Sequence, residues 1–272
     1  MSDSLFIASE EKSSGRARDA LAPILVSLQN VGKTFPNGVT ALAGLDLDVR
    51  QGETLTLLGP SGCGKSTVLR LIAGLTEPSA GAIVWADDSA RRNIGFVFQD
   101  PTLLPWANVF DNVFLPLRLA GESRAGSRER VMDALERVGL ADFARALPRE
   151  LSGGMKMRCA IARAFITRPS LVLMDEPFAA LDEVTRCKLN EGLVTLKERL
   201  GATIVFVTHS IFESAFVSTR MVVMSRPRGA IVEEIRVDPA LARDDDYRMS
   251  ESFSRTARRA SLALRGAMGE TA

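Results

Sequence analysis

The sequence is poor in the residues that build several common kinds of site. It holds a single histidine, His209, in 272 residues. One imidazole makes no multi-histidine metal centre, and any Ser-His-Asp triad would have to use that residue. The three cysteines, Cys63, Cys159 and Cys187, are far apart and odd in number. They form neither a disulfide framework nor a zinc-ligand spacing. Excess charge is missing as well: 34 Lys and Arg stand against 33 Asp and Glu, a formal net charge of +1. A dedicated nucleic-acid binder would show a basic excess or stripe, so no nucleic-acid partner is expected. No run of about 18 apolar residues exists, so no membrane-spanning helix is expected. The N-terminal residues lack a cationic start followed by an apolar stretch, so no secretory signal is expected.

What is present is the mixture of a folded domain, 46% hydrophobic and 25% charged, in a chain long enough to bury a real core. Residues 1–22 are polar without periodicity and read as a flexible tail. From Ile24 to Val49, short apolar stretches alternate with turn signals such as Pro36-Asn37-Gly38, the pattern of antiparallel strands. Thr54–Leu58 is a short apolar run, the pattern of a buried strand. Val68, Leu71, Ile72 and Leu75 then recur at helical spacing. Ile94, Phe96 and Phe98 alternate as in a strand. Ser127–Val138 predicts a helix, and a second is expected to start at Ser152. Leu171–Met174 is fully apolar, which suits a central parallel strand. Leu189, Leu193, Leu196 and Leu200 mark another helix. Thr203–Val207 and Met221–Met224 are further strands. Strands alternating with helices predict an α/β fold with a mainly parallel sheet, an antiparallel β subdomain near the start and a helical insertion at about 103–167. Residues 238–272 form a polar, Arg-rich extension that reads as an amphipathic surface helix.

Three motifs carry chemistry. Gly59-Pro60-Ser61-Gly62-Cys63-Gly64-Lys65-Ser66-Thr67 fits the phosphate-loop pattern, and it lies between a predicted strand and a predicted helix. Its glycines let the backbone wrap phosphates, and its N–H groups and the helix N-terminus are partly positive. Lys65 adds a full charge, and Ser66 offers a hydroxyl to Mg2+. The strand Leu171–Met174 ends in Asp175-Glu176. Asp175 suits a Mg2+ ligand, and Glu176 can polarise an attacking water. Taken alone, that segment is equally a strand followed by a solvated acidic turn. Leu151-Ser152-Gly153-Gly154-Met155 places a capping serine before glycines, so exposed N–H groups would face an anion. In isolation it is equally a capped helix without a ligand.

A phosphate loop, an LSGG element and an apolar strand ending in Asp-Glu, in that order, resemble the ATP-binding subunit of ABC transporters. The resemblance covers about residues 24–235, within an ATPase domain at 23–237. It implies a phosphate-loop NTPase core with ATP as substrate and Mg2+ as cofactor. It implies that Gln99 touches Mg2+, that His209 stands near the γ-phosphate, and that Phe35 stacks on adenine, although a phenylalanine there could equally be core. It implies catalytic roles for Lys65, Glu176 and His209. Ser152, Gly153, Gly154 and Asp182 would act in trans, on a nucleotide bound by the other subunit of a homodimer. Met155 and Met157 stand where the family usually has glutamine, which leaves open whether these side chains alter the trans contacts. The segments Gln99–Trp106 and Asp175–Asp182 resemble the nitrate, sulfonate and taurine importer branch.

The same resemblance implies two integral-membrane permease subunits, an extracytoplasmic substrate-binding protein and a peripheral position on the cytoplasmic face of the membrane. Leu104, Pro105, Trp106, Phe110 and Phe114 either pack the helical subdomain or receive the permease, with Trp106 the foremost interface candidate. The competing readings are a non-transport ABC ATPase and a regulatory nucleotide-binding module. The first usually carries coiled-coil insertions, paired cassettes or a basic surface, and none is visible. Intact Glu176 and His209 argue against the second.

Overall fold

The computed structural model describes residues 22–238 and 241–268. Apart from its last residue, the tail expected at 1–22 lies outside the described residues. Strands β1 (Ile24–Thr34) and β2 (Thr40–Arg50) form a hairpin, and β4 (Ala80–Trp85) pairs with the other edge of β1. All pairings in this three-stranded sheet are antiparallel. Its inward residues, among them Val26, Leu28, Val31, Leu47 and Val49, join one core with helix α1 (Lys65–Ile72).

The second sheet has six strands in the order β5-β6-β7-β3-β8-β9. These are β3 (Thr54–Leu58), β5 (Ile94–Val97), β6 (Leu171–Asp175), β7 (Thr203–Thr208), β8 (Arg220–Met224) and β9 (Ile231–Arg236). Only β9 runs antiparallel, against β8. Strands β3, β7 and β8 are buried at every residue, which is why they read as continuous apolar runs rather than alternating ones. Because β3, β6 and β7 are parallel, their C-terminal ends share one edge of the sheet, the usual ligand side of such folds.

Helices α2 (Asp88–Arg92), α3 (Val109–Leu119), α4 (Arg128–Arg137) and α5 (Gly153–Phe165) follow, then α6 (Glu183–Leu200), α7 (Ile211–Val217), α8 (Asp245–Met249) and α9 (Glu251–Met268). Helix α5 faces two ways. Met157, Ile161 and Phe165 pack toward the parallel sheet, while Cys159, Ala162 and the following Ile166 pack under α3 and α4. The helical insertion is thereby joined to the sheet through one shared helix.

Some expectations shift by a residue or a turn. Helix α1 stops at Ile72, and Gly74 takes a left-handed φ of 69°, so Leu75 falls beyond the buried face and is 62% exposed. Strand β5 stops at Val97, and its buried residues are Gly95 and Val97. The alternating Ile94, Phe96 and Phe98 instead face a less covered side, where the Phe96 and Phe98 rings stack at 4.2 Å. Among the described residues of the C-terminal extension, Asp245–Met249 and Glu251–Met268 are helical. Phe253, Ala257, Ala260, Ala263 and Ala267 turn inward, and α9 packs on α7, β8 and β9. Small residues on that face allow the close approach.

A buried ion pair ties the two sheets together. Arg220 on β8 contacts Glu53 through two hydrogen bonds of 2.9 and 3.0 Å and also bonds the carbonyl of Asp48 on β2. Such pairs add little net stability over an apolar pair, but a lone buried charge is costly. Arg220→Ala is therefore expected to lower unfolding free energy by about 3–5 kcal/mol, and Arg220→Met with Glu53→Gln by clearly less. Urea denaturation of the two variants checks this.

Candidate nucleotide site

The loop between β3 and α1 curls tightly because its backbone has room only for glycine at key points. Gly64 has a φ of 106°, and a Cβ there would lie 2.9 Å from the carbonyl oxygen of Ala41. Lys65 opens α1 and is only 4% exposed. Its Nζ donates to the carbonyls of Gly59 (2.8 Å) and Pro60 (3.2 Å), so the ammonium lies inside the curl of the loop. Ser61 and Gly62 are exposed on the outside of that curl, and Ser66 and Thr67 are half-buried. The Cys63 side chain is buried in the core, and burial pushes its thiol up against the opposing pull of Lys65. Cys63 can offer a ligand only its backbone.

Ser66 donates its hydroxyl to Asp175 Oδ1 at 2.8 Å, across 109 residues of sequence. Burial pushes the Asp175 carboxyl up, and the Ser66 hydrogen bond opposes that shift. A cation bound at Asp175 would oppose it further. Glu176 follows in a left-handed conformation, φ 46°, with its N–H donating to the carbonyl of Val207 at 2.9 Å. Such a backbone is sparsely populated for a non-glycine residue and clusters at functional sites. Its carboxylate Oε2 lies 3.0 Å from Nδ1 of His209, which follows the neighbouring strand β7. The sheet order thus brings the loop, both acids and the one histidine to a single edge. Gln99 is exposed just after β5, beside the end of β6, and makes no hydrogen bond to Ser66 or Asp175. A hydroxyl, a carboxylate and an amide oxygen are hard donors, the set that suits Mg2+ completed by phosphate and water. The residues present fit that ion.

Phe35 lies in the hairpin turn, half-buried, with Lys33 Nζ 5.4 Å above its ring. It belongs to none of the buried clusters among the described residues, so the ring is not core. Ser152 caps α5, its hydroxyl accepting from the N–H of Met155 at 3.3 Å. Ser152 and Gly153 are exposed. Gly154 is closely packed, since a Cβ there would meet Thr185 Cγ2 at 2.8 Å. Asp182 caps α6, accepting from the N–H of Thr185 at 3.0 Å, and this hydrogen bonding holds its carboxyl below the usual range. The starts of α5 and α6 therefore form one patch.

Residues 42–179 match the family described as ABC transporter. A Brucella abortus protein described as ATP-binding is 43% identical over 232 residues, covering 84% of this chain and 89% of that protein. The aliphatic sulfonates import ATP-binding protein SsuB 1 of Pseudomonas savastanoi pv. phaseolicola is 41% identical over 215 residues, covering 76% and 87%. A dimeric, post-hydrolysis state of the ATP-binding cassette MJ0796 bound to ADP and Pi superposes with a TM-score of 0.69 at 35% identity, covering 78% and 98%. The chain belongs to the ABC transporter family.

Within this ABC cassette, four supporting residues carry no motif in the sequence. Asn112 is fully buried and bonds the 104–108 loop four times, to Leu104 N (2.8 Å) and to the carbonyls of Leu104, Ala107 and Asn108. That loop carries Trp106, which is 77% exposed, while Phe110 and Phe114 are buried in the helical cluster. Arg163 holds the segment just after Gln99 through the carbonyls of Pro101 (2.9 Å) and Thr102 (3.0 Å). Arg186 on α6 faces the buried Glu213 on α7 at 3.6 Å. For Asn112 and Glu213, a polar residue on an otherwise apolar helix face is the signal that could have found them.

The two methionines also find their places. Met157 is 2% exposed and packs in the cluster that includes Phe178 and Phe206. Met155 is half-buried against the helical cluster. Met157 therefore has no access to a nucleotide on a second subunit. Met157→Gln should lower unfolding free energy by about 1–3 kcal/mol by burying an unpaired amide, without raising ATP turnover. Chemical denaturation and a phosphate-release assay check the two halves.

Proposed function

We propose that this chain hydrolyses ATP as one half of a head-to-tail homodimer and powers import of a small solute through separate membrane subunits. One observation carries the reading. Ser66, Asp175, Glu176 and His209 converge at one sheet edge, while a second exposed patch of capped helix starts, with Ser152, Gly153 and Asp182, lies on other elements. Two copies related by a two-fold axis complete two identical sites, the first patch of one meeting the second patch of the other.

In each site the loop N–H groups of Gly59–Thr67 cradle the phosphates, and Lys65 neutralises β and γ oxygens. Phe35 offers its ring to adenine. Ser66, Asp175 and Gln99 would hold Mg2+, which would supply charge neutralisation to the phosphates. Glu176 accepts a proton from the attacking water while the new P–O bond forms and ADP leaves with the electrons of the old one. His209, held 3.0 Å from Glu176, orients that carboxylate and the γ-phosphate together. Ser152 and the α5 N-terminus, from the partner, close over the γ-phosphate. Positioning and charge stabilisation account for most of the rate.

No helix among the described residues is long and apolar enough to cross a membrane. The cargo path then belongs to two permease subunits, with an extracytoplasmic binding protein delivering the solute. A groove of about 570 Å3, lined by Leu104, Trp106, Ala107, Phe114 and Arg118, suits a permease helix. Docking there holds the chain at the cytoplasmic face.

Glu176→Gln should retain ATP binding, lower kcat about 100-fold or more and accumulate an ATP-bound dimer. Phosphate release with size-exclusion chromatography reads both, and near-normal turnover would remove Glu176 as the base. Ser152→Arg should leave nucleotide binding by the monomer intact and abolish ATP-induced dimerisation. Its loss of the helix cap costs only about 1 kcal/mol, so a folded variant that still dimerises contradicts the trans contact.

A further inference from the structure

Glu213 is 5% exposed, and the reaction outlined above does not use it. It lies in α7, four residues after His209. Its Oε2 accepts a hydrogen bond from the Thr208 hydroxyl, and Thr208 Oγ1 in turn accepts from the N–H of Ser210 at 3.0 Å. The carboxylate thus holds Thr208 directly, and the Thr208 hydroxyl holds Ser210 on the other side of His209. Its second oxygen, Oε1, faces Arg186 Nε at 3.6 Å, and neither atom has a hydrogen-bond partner among the described residues. Arg186, in the first turn of α6, donates from Nη2 to the carbonyl of Leu181 at 2.9 Å. Leu181 abuts the start of α5, where a Cβ on Gly153 would lie 3.5 Å from its Cδ2. The line of contacts runs from His209 through Glu213 and Arg186 to the turn that carries Asp182 and touches Gly153.

A buried ion pair is weak evidence for stability, since an apolar pair of similar volume does as well. What an apolar pair cannot do is hold the Thr208 hydroxyl and the Leu181 carbonyl in fixed places at once. We infer that Glu213 and Arg186 are positioning residues that lock the His209 turn to the edge offered to the partner subunit. The inference rests on the proposed ATPase function. The pair keeps His209 within reach of Glu176 and keeps residues 181–182 in register with that turn. The histidine of one nucleotide site and the trans edge serving the other then move as one piece.

The test measures kcat, KM for ATP and the thermal midpoint for the unsubstituted protein, Glu213→Gln, Arg186→Gln and the double variant. Glu213→Gln keeps the shape and, through its amide oxygen, the Thr208 bond, and replaces the charged oxygen facing Arg186 with a neutral NH2. Each single variant should lower kcat about tenfold with KM within about twofold, because orientation and not binding is lost. The double variant should fall no further than Arg186→Gln alone, since that change already breaks both the Glu213 contact and the Leu181 bond. A lowered thermal midpoint with unchanged kcat would make the pair merely structural and overturn the inference, and so would additive losses. If the single variants do not fold, the double variant leaves no lone buried charge, and unchanged kcat in it overturns the inference equally. Turnover in the unsubstituted protein with unaffected variants leaves the ATPase reading standing. Absence of turnover in the unsubstituted protein overturns both.

Discussion

The hydrogen bond from Ser66 to Asp175 joins residues 109 positions apart, and the candidate site is arranged around it. It exists because β3, β7 and β6 lie side by side and parallel, so the helix leaving β3 leans across the end of β7 toward the end of β6. Once these three strand ends are level, the loop lysine, the two acids and His209 have no other place to go. The antiparallel sheet supports this indirectly. It packs behind α1 and presses Ala41 against Gly64, which keeps the loop curled.

Polar groups near this edge divide by exposure. Lys65 is enclosed, with its ammonium held by loop carbonyls, while Glu176 is only partly covered and His209 open on the side a ligand would approach. The starts of α5 and α6 are open as well, with Ser152 and Asp182 satisfied locally as helix caps. A capped start leaves other N–H groups of the first turn directed outward. Two open half-sites on one chain make a second copy the simplest way to enclose a phosphate. Between them lie the buried Glu213 and the half-buried Arg186, whose charged groups face each other at 3.6 Å.

Much of this was legible from the chain alone, for identifiable reasons. A glycine-rich loop between a buried strand and an amphipathic helix is rare by chance, so Gly59–Thr67 could be placed without coordinates. The apolar run ending in Asp175-Glu176 was ambiguous, and only the loop upstream made it meaningful. Leu75 was misassigned because helical spacing continued past Gly74, where the backbone turns left-handed. Phe98 falls just past β5, because alternation continues one residue beyond the last strand pairing, at Val97. Asn112, Arg163, Arg186 and Glu213 gave little warning, since their partners are carbonyls or charges far away in sequence.

The chain has one histidine in 272 residues. Sequence by itself determined that an ATP-type phosphate loop exists, that one acid pair ends a buried strand, and that His209 was the sole imidazole available. Those are local facts, set by spacing and residue chemistry within a few turns of chain. Only the tertiary structure decided that Glu176 and His209 stand 3.0 Å apart, that Met157 is core and Phe35 is not, and that Glu213 faces Arg186. These depend on strand order and helix packing, which bring together residues whose separation along the chain carries no trace of their contact.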